Sequence, residues 1–417
     1  MMQREIVAFL ALFCFTGIFS QNTARVMFYN LLEFPEAPPV NREFILRDIL
    51  EDIDPDVFMV AELQNQIGAD LILTQSLNII DSNYASAPFV FNTSGSGGTI
   101  QQLLYYNTEK FSLELTDIIQ TSLRDINRYQ LKAITIQSDT EPILIDFFVA
   151  HFKASQGNTN EQIRFNMALN FTDYLNANLS SNANVIFAGD FNFYNSNEDG
   201  FQQLFIGSTI IPMKDPISQL GDWHTNSSFS GVHTQSTRQS NNFFDGFGAG
   251  GGLDDRFDFI FVSENILDTN HEVNYINESY QTYGNNANCY NEDISDNTCG
   301  GFYSQNTRNL LWNMSDHLPL ILDLEFDQDF LSLEDFESPD FFTLPLGNIA
   351  ENYLKIDINP DYLFVIDKFY VYNALGQIVK TKSIDNTAVS IPTYDLANGI
   401  YILKASQGKP LKFIVSN

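Results

Sequence analysis

The sequence predicts a mixed α/β domain, two sheets faced by helices, followed by a smaller all-strand module. Three observations lead there. Residues 21–326 alternate short apolar runs of strand length with two longer segments of helical period. Several neighbouring strand runs have no helix between them, which argues for a mixed or largely antiparallel layering. Beyond an acidic stretch punctuated by Pro339 and Pro345, residues 346–417 carry only strand-length runs separated by turn residues.

Taken in order, the chain opens with MMQREIVAFLALFCFTGIFSQ, in which Arg4 precedes an apolar core ending at Phe19. This reads as a secretory signal peptide over residues 1–20, too short to span a bilayer. Phe13 before Cys14 does not fit a lipoprotein cleavage box, and no second apolar run of spanning length follows. Strands are expected at 25–29, 56–61, 103–106, 131–137, 143–151, 185–188, 257–262 and 318–324. Helices are expected at 41–53, with Ile45, Ile49 and Ile53 on one face, and at 161–179, with Ile163, Met167, Phe171 and Leu175 on one face. The domain expectation is 21–326, then a linker over 327–345, then the module 346–417, with strand runs at 354–358, 369–372, 389–391, 400–405 and 411–415 at sandwich spacing.

At 417 residues the chain has room for two to three domains, and 44% hydrophobic residues exclude a disordered composition. With 52 acidic against 21 basic residues, the formal charge is −31. That excludes charge-driven, non-specific binding to nucleic acid or to an anionic membrane. A phosphate substrate then needs metal ions or a few local arginines. In an exported chain the pair Cys289 and Cys299, ten residues apart in a polar stretch, predicts a disulfide loop; a two-thiol metal site lacks nearby histidines.

Polar residues end or begin the apolar strands at six places. They are Asn30 in VMFYNLLEF, Glu62 in VFMVAELQN, His151 in FFVAHFKAS, Asp190 and Asn192 in FAGDFNF, Asp258 in DRFDFIFVS, and Asp316-His317 in SDHLPL. Singly, each has a bland reading as a cap, an edge charge or a core histidine. Together they supply what phosphodiester hydrolysis needs: an activated water, positive charge on the phosphoryl oxygens and help for the leaving oxygen. Glu62 and Asn30 offer hard oxygens of the kind Mg2+ accepts. Asp258 and His317 suit a carboxylate–imidazole pair. Asp190 and Asn192, two apart on an extended strand, would converge on one spot and orient the water or hold transition-state oxygens. The segment FDGFGAGGGLDD fits G-x-G-x-x-G through Gly246, Gly248 and Gly251, but a strand follows it where a dinucleotide site needs a helix, so it reads as a loop crossing near the site.

In this order the motifs resemble the endonuclease/exonuclease/phosphatase superfamily of DNase I-like fold, over residues 24–326, through Asn30, Glu62, HFKAS, GDFN, RFDFIF and SDH. The resemblance implies a four-layer α/β sandwich and Mg2+-dependent cleavage of phosphoester bonds, with Mn2+ or Ca2+ as alternative ions. It implies Glu62 as a metal ligand with Asn30 and Asp316 close to the ion. His151 and His317 would flank the scissile phosphate, Asp258 would support His317, and Asp190 with Asn192 would contact the nucleophile or phosphate. Arg128 matches the family's phosphate-binding arginine, with Arg124 competing. The carboxylate that supports the first histidine has no counterpart: Gln101 and Gln102 stand there, so His151 is expected to be oriented by an amide. The tail segments NYLKIDI, YNALGQIVK and LANGIYILK resemble the C-terminal sorting domain of the type IX secretion system, although a Pro-Asn-Pro opening is missing. That implies a small C-terminal β-sandwich, export across an outer membrane with the secretion machinery as partner, and a secreted or cell-surface location.

The expected function is a secreted metal-dependent endonuclease acting on DNA or RNA. The alternative is a secreted phosphodiesterase or phosphatase acting on lipid headgroups or small phosphoesters, for which Phe243, Phe244 and Phe247 are the available membrane-contacting aromatics. A non-catalytic surface protein would have lost one of the metal or histidine positions, and all are present.

Overall fold

In the computed structural model, residues 22–331 are described except 96, 97, 99 and 208, and residues 341–416 except 361, 362, 364, 365, 374–376 and 407–409. The expected signal peptide and the middle of the expected linker lie outside the described residues. The chain divides into two compact units, one running to Phe330 and one starting at Leu331.

In the first unit the chain builds half of one sheet, all of a second, and then returns to complete the first. Strands β1 (Thr23–Phe34), β2 (Val57–Leu63), β3 (Tyr84–Ser86) and β4 (Gln101–Asn107) come first. Strands β5 (Phe111–Ile119), β6 (Ile126–Ala133), β7 (Leu144–His151), β8 (Asn184–Asp190), β9 (Met213–Lys214) and β10 (Asp258–Ser263) make the second sheet, in the order β5-β6-β7-β8-β10-β9. Strands β11 (Val273–Tyr275), β12 (Gln281–Thr282) and β13 (Leu320–Phe326) then join the first, giving β11-β13-β1-β2-β4-β3 with β12 also on β13.

Side-chain alternation explains the layering. Along β7 and β8, Ile145, Phe147, Val149, Ile186 and Ala188 enter the core that also holds Met27, Met59 and Leu322 of the first sheet. The intervening Phe148, Ala150, Val185 and Phe187 enter a separate core with Met167, Phe171 and Leu175 of the long helix Asn158–Asn178. Helix Arg42–Ile53 covers the first sheet through Leu46, Ile49, Leu50 and Ile53. Helix, sheet, sheet, helix is the four-layer α/β sandwich. The outer aromatic layer is dense: Phe171 stacks on Phe187 at 3.9 Å between centroids, and Phe191 meets Phe187 edge-on at 4.7 Å. Each such buried ring contributes about 1.5–3 kcal/mol.

Topology gathers the site. β1 runs parallel to β2 in one sheet and β7 parallel to β8 in the other, and the Asn30–Asp190 and Glu62–His151 contacts bring the ends of all four to one edge of the sandwich. β10 is antiparallel to β8 and β13 antiparallel to β1, so both begin at that same edge. The six polar signals, read as strand ends and strand beginnings, therefore converge. The disulfide between Cys289 and Cys299 is formed, with Cα atoms 5.1 Å apart.

The second unit holds a three-stranded sheet, Phe342–Thr343, Tyr353–Ile358 and Ala388–Pro392, and a five-stranded sheet ordered Ile349–Ala350, Leu411–Val415, Gly399–Ala405, Lys368–Tyr372 and Ile378–Ser383. Leu354, Ile356 and Ile358 point inward while Tyr353, Lys355 and Asp357 face out, and the inward set shares a core with Phe369, Val371, Leu403 and Phe413. This is a small β-sandwich.

Candidate active site

One cross-strand row sets the base of the site. His151 pairs with Asp190, and Asp190 with Asp258, so three side chains from β7, β8 and β10 stand on the inner face in register. Gly189 permits the close approach behind them: a Cβ there would lie 2.4 Å from the Ala150 carbonyl oxygen. Beyond Asp190 the chain leaves the strand, and Asn192 takes a left-handed φ of 52°. Its amide turns back to donate to Asp190 Oδ1 at 2.8 Å, and its backbone N–H donates to the same oxygen at 3.2 Å. Asp190 and Asn192 do converge, through a turn where the sequence reading expected continued strand.

The opposite wall comes from β1, β2 and the segment before β13. Asn30 Nδ2 lies 3.1 Å from both Glu62 Oε1 and Asp190 Oδ2, and 3.4 Å from His317 Nε2. Its oxygen accepts from Leu32 N–H at 3.0 Å. Asn30 therefore turns a donor toward the cluster, where the sequence reading expected a hard oxygen. Leu32, Glu33 and Glu62 all have left-handed φ, at 46°, 44° and 59°. Non-glycine residues hold such conformations only where surrounding structure enforces them, and they concentrate at functional sites. The enforcement is visible: Glu33 N–H donates to Glu62 Oε2, and Arg42 donates to the carbonyls of Leu31, Leu32 and Met314 at 2.6–2.7 Å. Ser315 Oγ donates to Asn30 O at 2.7 Å, fastening the SDH segment to β1.

His317 Nδ1 lies 2.7 Å from Asp258 Oδ2, in the expected pairing, and Nε2 faces Gln235 Nε2 at 2.7 Å and Asp190 Oδ2 at 3.7 Å. His151 Nε2 lies 3.4 Å from Asp190 Oδ2 and its Nδ1 lies 3.8 Å from Glu62 Oε1. Burial is the largest influence on Glu62, Asp190, His151 and His317. It pushes Glu62 up, with help from Asp316, and pushes Asp190 up to about 8, with Asp258 and Glu62 adding to the rise. Burial, then Arg124 and His317, holds His151 well below the ordinary imidazole range. At His317 burial acts downward, but Asp258, Asp316 and Asp190 outweigh it and raise its proton affinity.

The residues fit a divalent cation. Glu62, His151 and Asp190 bring ligand atoms within 4.8 Å of one another, as do Asp190, Asp258 and His317. Asp316 Oδ2 accepts from Ala249 N–H at 2.7 Å and Gln235 Nε2 at 3.1 Å, while its buried Oδ1 has no hydrogen-bond partner. A buried carboxylate oxygen without a donor is costly, and a hard cation satisfies it.

Arg128 is not at this site. It pairs with Phe148 across the β6–β7 ladder, so its side chain points to the outer face, where it meets Asp146 at 2.7 Å and Tyr174 Oη at 2.9 Å. The competing Arg124 lies on the site's side: its Nη1 donates to the carbonyls of His151 and Phe152, both at 3.0 Å, and Glu62 and Asp190 act on its charge. The expected amide support of His151 is also not realised. Gln101 bonds Asn92 N–H and the Gln64 carbonyl, and both Gln102 Nε2 and His151 Nδ1 are buried without a partner.

Sequence reasoning missed the contributors from the 222–252 segment. Thr234 Oγ1 accepts from the N–H groups of Phe257 and Asp258, pinning the start of β10. Gln235 bridges Asp316 and His317. Gly248, at φ 80°, passes so close to Asp316 that a Cβ would sit 2.9 Å from its Cγ. The glycine-rich run thus crosses beside the site and supplies it with a backbone donor, a role its spacing alone did not give.

Comparison with curated proteins finds no match. Among solved structures, the chain is similar to the human Nocturnin catalytic domain with bound sulfate, at 15% identity and TM-score 0.44, over 73% of this chain and 94% of that one. It is similar to Danio rerio TDP2 complexed with single-strand DNA product, at 15% identity and TM-score 0.46, over 73% and 99%. A Bacteroides thetaiotaomicron endonuclease/exonuclease/phosphatase family protein aligns at 14% identity and TM-score 0.43, over 73% and 98%. The secretion system C-terminal sorting domain matches residues 348–416, which marks the chain for type IX export to the surface or medium. The endonuclease/exonuclease/phosphatase family matches residues 27–317, and the chain belongs to that family of divalent-metal-dependent phosphoester hydrolases.

Proposed function

We propose that the protein is a secreted endonuclease hydrolysing DNA or RNA outside the cell, with Mg2+ as its ion. The observation that carries the reading is the convergence of Asn30, Glu62, His151, Asp190, Asp258, Asp316 and His317 at one edge of the sandwich. Held by Glu62 with Asp316 and neighbouring carboxylates, the cation supplies Lewis acidity at the phosphoryl oxygens and offsets the protein's charge toward an anionic substrate. Asp258 at Nδ1 orients His317. Two amide donors, Asn30 and Gln235, face Nε2 and call for a lone pair there, whereas the surrounding carboxylates favour its protonation. These atom-specific hydrogen bonds support a resting lone pair on Nε2 and His317 as the group that takes the proton of an attacking water. Asp190, braced by Asn192, orients that water. His151, kept neutral, contacts a phosphoryl or leaving oxygen.

A lipid headgroup substrate is less well supported. Phe244 is buried, with the Arg238 guanidinium 3.4 Å over its ring and Trp312 at 4.8 Å, and of Phe243, Phe244 and Phe247 only Phe243 is exposed, on a single 3-10 turn. That is no membrane-inserting hairpin. The test assays purified protein with Mg2+, with and without chelator, on plasmid DNA, RNA, sphingomyelin and a small phosphodiester. Nicking of plasmid or cleavage of RNA, abolished by chelator and by His317→Ala, is expected. Cleaved lipid beside intact nucleic acid reverses the reading, and full turnover by His317→Ala removes the base assignment.

A further inference from the structure

A second carboxylate–imidazole pair stands beside the site, in the same 222–255 stretch that carried no readable pattern. His224 Nδ1 lies 2.5 Å from Asp255 Oδ1. The His224 ring packs edge-on against Tyr194 at 4.9 Å between centroids, and Tyr194 follows Asn192 by two residues. The His224 side chain is 30% exposed, and its Nε2 makes no hydrogen bond among the described residues. The ring is held at one nitrogen and presents the other to solvent.

Backbone pairing fixes where the pair points. Gln235 bridges antiparallel to His317 on one side and to Asp255 on the other. Directly paired residues project to the same face, so His317, Gln235 and Asp255 form a row above the same surface, and the Gln235–His317 side-chain contact of 2.7 Å shows which face it is. Two strand spacings separate Asp255 from His317, roughly 10 Å. Contacts from Asp190 to Asn192, from Tyr194 to His224 and from His224 to Asp255 thus lead from the cluster to this pair.

We propose that His224, positioned by Asp255, binds the backbone of a polynucleotide strand beyond the scissile phosphate through its Nε2, an inference that rests on the nuclease reading above. With Nδ1 turned to Asp255, Nε2 is the nitrogen left to donate to a flanking phosphate oxygen. A bare carboxylate there would repel the strand. A small phosphodiester is too short to touch both His317 and His224; a polynucleotide is not, so the pair selects for polymer.

The experiment compares wild type, His224→Ala and Asp255→Asn on single-stranded DNA, RNA and bis(p-nitrophenyl) phosphate, with KM and kcat determined separately. The expected result is a KM for polynucleotide at least tenfold higher in His224→Ala, with kcat much less affected, so that the ratio of polynucleotide to small-diester kcat/KM falls about tenfold; Asp255→Asn follows in the same direction. A partly unfolded variant loses both activities in proportion and leaves that ratio fixed, so equal losses, or none, overturn the inference. Wild type that cleaves the small diester and no polynucleotide overturns the nuclease reading and this inference together. Wild type that cleaves both with an unmoved ratio in the variants overturns this inference alone.

Discussion

Arg124, in the loop before β6, reaches the site, while Arg128, four residues on and within β6, faces away from it, which makes them a direct test at the scale of single residues. Arg124 braces the carbonyls that follow β7 and lends positive charge to the cluster. Arg124→Ala is expected to lower kcat/KM by roughly 10–100-fold with a modest effect on thermal stability. Arg128 is half of a largely buried ion pair with Asp146. Arg128→Ala leaves a buried carboxylate unpaired, which costs about 3 kcal/mol, and should spare the kcat/KM of the folded fraction. Denaturant melts beside steady-state rates check both. A collapse of kcat/KM in folded Arg128→Ala would restore it to the site. At this scale the sequence was legible where chemistry narrows the choice: Asn30, Glu62, His151, Asp190, Asn192, Asp258, Asp316 and His317 gather within one cluster. It misled where two residues of one type competed, since Arg124 lies in the loop before β6, which begins at Ile126, while Arg128 within the strand is committed to the outer face. Gln235 and Thr234 gave no signal, because an amide and a hydroxyl in a Ser/Asn/Thr-rich run look like any loop.

At the scale of elements, the close crossing of β7 and β8 is the most sensitive point. Gly189→Ala drives a methyl into the Ala150 carbonyl within the His151–Asp190 row. It is expected to destabilise by 2 kcal/mol or more, on the order of an overpacked core, and to lower activity by displacing Asp190. The disulfide loop is a second point. Within it, Glu292 O accepts from Leu253 N–H, Ile294 N–H donates to Thr237 O, and the Arg308 guanidinium holds Ile294 O and Asp296 O. It thereby braces the glycine-rich run that reaches Asp316. Replacing Cys289 and Cys299 together with serine should cost about 2–4 kcal/mol, read as a lower melting temperature that reductant reproduces in the native protein. The elements themselves were legible by unequal signals. Helix Asn158–Asn178 stands out by its length and the four-residue spacing of Met167, Phe171 and Leu175, and strands β7, β8 and β10 by their apolar runs. β5 and the start of β6 escaped, since β5 is an edge strand whose residues 114–117 are exposed and break the apolar run. Helices Asp199–Ile206 and Gln305–Met314 span only 8 and 10 residues and bury three residues each, too short a run to stand out from the loops around them.

For the whole molecule, the two-unit division carries its own expectation. Each unit has a core of its own, so a chain ending after Phe330 should fold and retain turnover, while losing export by the type IX machinery. Activity assays and cell fractionation check the two halves of that statement. Among the described residues no helix is long and apolar enough to cross a membrane. The acidity that disfavours non-specific nucleic-acid binding makes the cation central to the account. The most direct test is anomalous diffraction from crystals soaked in Mn2+, with Glu62→Gln alongside. A single strong peak against the carboxylates of Glu62 and Asp316, within the cluster that holds both imidazoles and lost in the variant, is the predicted result. A peak elsewhere, or an undiminished one in Glu62→Gln, would contradict it.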